Sequence, residues 1–151
     1  MRIREVMTQT LITVVPDETV SGAHQLMQKH RIRHLLVVDA DQLAGIVTDR
    51  DIRLNLPSQA TSLSVWEVHH LLAKLTVGAV MTRAVISIGP ERDAREAARL
   101  MLEHTIGALP VTDGGRLIGI VTETDLLRVF VSCGADEARE RPSASRSSRA
   151  T

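Results

Sequence analysis

Aromatic side chains are almost missing from this chain, with one Phe (Phe130), one Trp (Trp66) and no Tyr in 151 residues. The core must therefore be aliphatic, and a stacking platform for single-stranded nucleic acid cannot be assembled. Cysteine is as scarce: Cys133 stands alone, which excludes an internal disulfide framework. Net charge is zero, with 18 basic and 18 acidic residues, so no global field gathers a phosphate backbone. Runs of about 18 apolar residues are absent, and no membrane-spanning helix is expected. The opening Met1-Arg2-Ile3-Arg4-Glu5-Val6 has an acidic residue and no apolar block, unlike a secretory leader. These absences point to a cytoplasmic protein without nucleic-acid or membrane partners.

What the chain does have is an ordinary hydrophobic content of 44% and an internal repeat. Residues 6–51 align without a gap on residues 80–125, with about 19 of the 46 positions identical. Val6-Met7-Thr8 recurs as Val80-Met81-Thr82, Pro16 as Pro90, and Met27 with His30 as Met101 with His104. Gly45-Ile46-Val47-Thr48 recurs as Gly119-Ile120-Val121-Thr122, and Asp51 as Asp125. The sequence divides into a first repeat (1–56), a linker loop and helix (57–75), a second repeat (76–133) and a tail (134–151).

Within each copy an apolar stretch (Leu11 to Val15; Val85 to Ile88) ends before Pro16 or Pro90. A helix follows, with its stripe at Val20, Ala23, Met27 and His30, or Ala94, Ala97, Met101 and His104. Thr19 is placed to cap the first of these helices, and Asp93 with Glu96 spells a capping box for the second. Two β-rich runs come next, Leu35–Asp39 and Leu43–Thr48, joined at Ala40-Asp41-Gln42. Their counterparts, Leu109–Asp113 and Leu117–Thr122, flank Gly114-Gly115, a stronger hairpin turn. A last helix starts at Thr48 or Thr122. Pro57 to Ser62 reads as a loop. Ser64 with Glu67 caps a linker helix whose stripe of Val65, Val68, Leu72 and Leu75 is expected to pack. After Gly134 the Arg, Ser and Ala composition predicts disorder.

With its Val-Met-Thr openings, its Pro before the first helix and its two Gly-x-x-Thr-x-x-Asp endings, the chain resembles the cystathionine-β-synthase (CBS) domain pair, or Bateman module. The linker Ser62-Leu63-Ser64-Val65-Trp66-Glu67 is similar to that of stand-alone bacterial pairs of the acetoin-utilisation-protein-B group. The resemblance implies an α+β fold, a tandem pair of βαββα CBS units with pseudo-twofold symmetry and clefts between them. It also implies AMP, ADP or ATP as a regulatory ligand, homodimerisation into a flat disc, and signalling to an unidentified protein partner, without catalysis.

Carried over residue by residue, the resemblance assigns two clefts. One joins Thr122, Thr124 and Asp125 to Thr8, Leu11, Ile12, Thr13, Ile32, Arg33 and His34. The other joins Thr48, Arg50 and Asp51 to Thr82, Val85, Ile86, Ser87, Ile106 and Gly107. The chemistry is consistent. Thr48 and Thr122 mark a strand-to-helix junction, where free backbone N–H groups and the helix dipole suit phosphate. A carboxylate three residues on can accept from both hydroxyls of a ribose cis-diol. Apolar walls can hold a purine, and Arg33, His34 and Arg50 can share phosphates pointing to the middle; Arg33 and His34 favour the Asp125 cleft as the tighter one. Leu36 stands where the second copy has Pro110 in a wall strand. Thr-x-x-Asp is equally a capping box, worth about 1 kcal/mol without any ligand.

Other residues offer less. The six histidines form no His-Glu-x-x-His and no Cys-rich cluster, so no metal site is expected. Gly114-Gly115 is a turn, not a phosphate loop, and Cys133 has no basic neighbour in sequence to activate it. An enzyme acting on adenosine phosphates would need a nucleophile–base pair or a metal cage that these motifs do not supply. A structural or dimerisation pair with filled clefts is the other alternative.

Overall fold

A computed structural model of the protein describes residues 1–55 and 64–139. Seven helices and five strands follow one another in the described residues: α1 (Ile3–Val6), β1 (Thr13–Val14), α2 (Val20–His30), β2 (His34–Asp39), β3 (Gln42–Thr48), α3 (Asp49–Leu54), α4 (Val65–Lys74), α5 (Val77–Val80), α6 (Ala94–His104), β4 (Ala108–Asp113), β5 (Arg116–Thr122) and α7 (Glu123–Arg139). The first copy is a βαββα unit, as the repeat predicts, and the second follows the same order with its first strand reduced to an isolated bridge. The antiparallel hairpins β2–β3 and β4–β5 have the same register and the same bulge, between Val37 and Val38 and between Val111 and Thr112.

One difference between the hairpins has a covalent cause. In the first copy β1 pairs in parallel with β2 (Thr13 with Leu36, Val14 with Val37). In the second, the corresponding stretch makes an isolated bridge, Ile88 to Val111, rather than the expected strand. Pro110 accepts a 3.0 Å hydrogen bond at its carbonyl from the Ile88 N–H. Its nitrogen faces the same edge and has no proton to give, so the ladder shortens there.

Packing does not follow the sequence repeats. The opening segment of each copy leaves its own unit and completes the other's core. Val77, Val80 and Met81 are buried with Val20, Met27, Leu35, Val37, Val47 and Ile52 of the first copy. Ile3 is buried with Ala97, Met101, Leu109, Val111 and Val121 of the second, and Val6 and Met7 pack against them. Backbone pairs hold the exchange: Thr8 with Ile120 at 2.8 and 3.0 Å, and Thr82 with Ile46 at 2.9 and 3.0 Å. Two glycines make room for it. A Cβ on Gly45 would lie 2.7 Å from the Thr82 carbonyl oxygen, and one on Gly119 would lie 2.8 Å from Met7 Sδ.

Several local expectations hold, and others are corrected. Thr19 caps α2 through the Gly22 N–H, and Ser64 with Glu67 closes a capping box on α4. Asp93 caps α6 through the Arg95 N–H, and that bond holds its carboxyl below the usual range. Glu96 does not close a box with it, because Arg92 takes the Glu96 carboxylate at 2.5 Å. His30 and His104 end exposed, outside the buried stripes, because each occupies the solvent-facing last turn of its helix. α4 packs less than its pattern suggests: Leu75 reaches the first core, but Val65 is 89% exposed and Trp66 stacks on His70 at the surface. No described element covers the start of α4. The helical backbone of α7 continues through Gly134 to Arg139, past the expected start of the tail, while the loop expected at 57–62 and residues 140–151 lie outside the described residues. No helix among the described residues is long and apolar enough to cross a membrane.

Candidate functional site: two clefts between the repeats

Because the opening segments cross over, each Thr-x-x-Asp junction faces the opposite copy. This creates two clefts. The first, of about 500 Å³, lies beside the start of α7; Thr8, Leu11, Ile12, Ile32, Arg33, His34, Thr122, Thr124 and Asp125 line it. The second, of about 730 Å³, lies beside α3; Thr48, Arg50, Asp51, Thr82, Val85, Ile86, Ile106 and Gly107 line it. Both volumes suit a nucleotide-sized molecule.

Two of the sequence candidates are not brought in. Thr13 is exposed on β1 between Ile12 and buried Val14, and period-two alternation turns it away from the first cleft. Ser87 is turned away in the same manner, with its hydroxyl 3.3 Å from Thr112 Oγ1. The sequence reading also missed residues. Arg31, Glu123 and Arg128 line the first cleft, with Leu36 in its wall as the sequence suggests, and Arg53, Leu54, Met101 and Leu102 line the second. Arg128 was detectable, being one helical turn beyond Asp125. Arg31 was less so, because its place depends on a left-handed C-cap to α2 (φ 53°).

Each carboxylate closes a cap. Asp125 Oδ2 accepts from the Thr122 backbone N–H (2.9 Å) and hydroxyl (3.0 Å), and Thr122 Oγ1 accepts in return from the Asp125 N–H at 3.3 Å. Asp51 and Thr48 form the corresponding box at 2.9 and 3.1 Å. The cap is thus real at both sites, and it engages a single carboxylate oxygen. Asp125 Oδ1 has Arg128 at 3.8 Å, and the Asp125 side chain is 11% exposed. The junctions offer fewer free amides than the sequence suggested. Glu123 N–H donates to the Gly107 carbonyl and Asp49 N–H to that of Arg33, each at 3.0 Å. Negative groups on a ligand must therefore rely mainly on side-chain cations.

Those cations are distributed differently from expectation. Arg33 and His34 line both clefts, so they do not favour either one. Arg31 and Arg128 belong to the Asp125 cleft alone, and Arg50 and Arg53 to the Asp51 cleft alone. Arg53 is held by Asp49 at 3.2 Å, which neutralises it locally. The His34 imidazole is pushed below its usual value by burial; the Glu123 carboxylate opposes this, Arg33 adds to it, and Asp51 opposes it. Among the described residues no group of three or more His, Cys, Asp or Glu side chains is placed to hold a metal ion.

Known proteins share this fold. The chain is 32% identical to the CBS domain-containing protein YhcV of Bacillus subtilis over 124 residues, 82% of this chain and 81% of that protein. Its fold superposes with a TM-score of 0.75 on a protein described as the acetoin utilization protein AcuB of Vibrio cholerae, at 29% identity, covering 94% and 98% of the two chains. A TM-score of 0.75 is also found with the CBS domain pair of protein MJ0100, at 28% identity and covering 88% and 98% of the two chains; that pair was solved with 5′-methylthioadenosine and S-adenosyl-L-methionine. The CBS-domain family model matches residues 3–58 and again 77–132, and the chain belongs to that family, as a pair of CBS domains.

Proposed function

We propose that this protein is a regulatory module that binds an adenine nucleotide (AMP, ADP or ATP) between its repeats and passes the bound state to a separate protein partner. The observation that carries this reading is the Asp125 carboxylate, almost buried at the mouth of an apolar-walled cleft, with one oxygen in a cap and the other outside it beside Arg128. A ribose diol fits the oxygen outside the cap, and Arg31, Arg33 and Arg128 fit a 5′ phosphate. The adenosyl ligands of the MJ0100 pair, a similar fold, support the nucleoside half of this assignment. Arg31 and Arg128 make the Asp125 cleft the tighter of the two for an anionic ligand.

Thermal unfolding with AMP, ADP, ATP, S-adenosylmethionine and GTP tests it. A ligand at 100 times its Kd adds about 2.7 kcal/mol, a shift on the order of 5–10 °C in a chain of this size. Asp125→Asn keeps an acceptor for the cap but removes the charge, so it separates the two roles; we expect the ligand-induced shift to fall while the unliganded Tm stays within about 2 °C. No shift with any adenine compound sinks the reading and leaves a scaffold whose role is structural. Self-association belongs to the same proposal, supported by Leu127, Phe130 and Val131, which are 63%, 78% and 70% exposed along one side of α7. Phe130→Glu is expected to convert a dimer to a monomer in light scattering.

A further inference from the structure

We propose that His34 selects ligands by charge, offering a proton-dependent cation to a 5′ phosphate at the wall the two clefts share. This rests on the adenosyl-ligand reading above and adds to it a discriminating residue and a direction of pH dependence. His34 begins β2, paired with Thr48 of β3, and lines both clefts together with Arg33, Gly107 and Glu123. Gly107 is what opens the contact. A Cβ there would sit 3.1 Å from Glu123 Oε1 and 3.3 Å from His34 Nε2, so the bare glycine leaves the imidazole edge and the carboxylate bordering one gap. The second repeat has Ala108 in the position of His34, so a single imidazole serves both clefts.

The charges facing it are Arg33 beside it, Glu123 from the start of α7 and Asp51 from α3. Burial dominates in the unliganded protein and favours the neutral ring. A phosphate entering either cleft favours the imidazolium instead. The liganded His34 then has the higher pKa, and binding takes up a proton between the free and bound values. Affinity for a phosphate-bearing ligand rises as pH falls through that window. Adenosine, which has no phosphate, gains nothing from the change.

The test is calorimetric titration of wild type, His34→Gln and His34→Arg with AMP and with adenosine at pH 6, 7 and 8. AMP's own phosphate titration is common to all three proteins and cancels in the comparison. We expect the ratio of AMP Kd at pH 8 to that at pH 6 to be about tenfold larger in wild type than in His34→Gln, the factor for one pKa unit of coupling. His34→Arg should bind AMP as tightly at pH 8 as wild type does at pH 6, once the phosphate's titration is subtracted. Adenosine should show one ratio in all three. Equal AMP ratios in wild type and His34→Gln overturn the role of His34 while leaving nucleotide binding intact. Failure of AMP and adenosine to bind any of the three, each shown to be folded by its melting curve, overturns this inference, and it overturns the reading beneath as well when ADP, ATP and S-adenosylmethionine also leave those curves unshifted.

Discussion

The two repeats share a hairpin down to the bulge and differ where chemistry is needed. Arg31, Arg33 and His34 in the first copy stand against Thr105, Gly107 and Ala108 in the second, all between a helix C-terminus and the first residue of a strand. The core positions around them hardly change. Packing constrains Val, Leu, Met and Gly in both copies, whereas the short connection between helix and strand is free to carry charge in one and little in the other. A duplicated scaffold can thus present two unlike clefts without altering its architecture.

The largest test of that comparison lies at the paired glycines. Gly45→Ala presses a methyl against backbone, at 2.7 Å from the Thr82 oxygen, while at Gly119 the nearest atom is the flexible Met7 sulfur at 2.8 Å and the Thr8 oxygen is 3.1 Å away. We expect urea denaturation to give losses of about 3 kcal/mol for Gly45→Ala and about 1–2 kcal/mol for Gly119→Ala. Equal losses would mean that the backbone yields as easily as the methionine. Next are the caps. Asp51→Ala and Asp125→Ala each remove one capping acceptor and should each cost about 1 kcal/mol in the same assay.

Left-handed positions give effects of similar size or smaller and of opposite sign. Arg31 and Thr105 both end their helices with φ of 53°, and Ala40 turns its hairpin at 50° where the second copy has Gly114 at 58°. Thr105→Gly and Arg31→Gly should each stabilise by about 1 kcal/mol, and Ala40→Gly by about 0.5–1 kcal/mol. Arg31→Gly alone of the three should weaken AMP binding. That outcome would show that a left-handed cap common to both copies aims a cation at a cleft in only one of them. The smallest effect concerns acid. Because burial lowers the folded-state pKa of His34, the unfolded chain binds the extra proton first, and unliganded stability should decline as pH falls below about 6.5. His34→Gln should flatten that decline in melting curves at pH 5.5 and 7.5.

Much of this was legible in the sequence because it is local or repeated. The caps at Thr19, Thr48 and Ser64, the hairpins and most cleft residues follow from short-range pattern and from the family resemblance. Thr13 and Ser87 came with the opening strands that the resemblance carried over, and only alternate side chains of such a strand face a cleft. Val65 was misjudged because an apolar stripe states what a helix can bury, not what lies opposite it. The crossing of the opening segments has no local signature at all. Its trace is long-range: Met7-Thr8 and Gly119, Met81-Thr82 and Gly45 recur together because each pair is one contact.

That crossing means neither repeat is a complete folding unit. A fragment ending near residue 55 would lack Val77, Val80 and Met81 and would instead hold a stranded Ile3 with no core to enter. Two such fragments could satisfy each other by trading their first turns, giving a symmetrical twin of the tandem chain. In the intact protein the trade is internal, so melting should register as one cooperative event, and a cut between residues 55 and 64 should leave two pieces that still elute together.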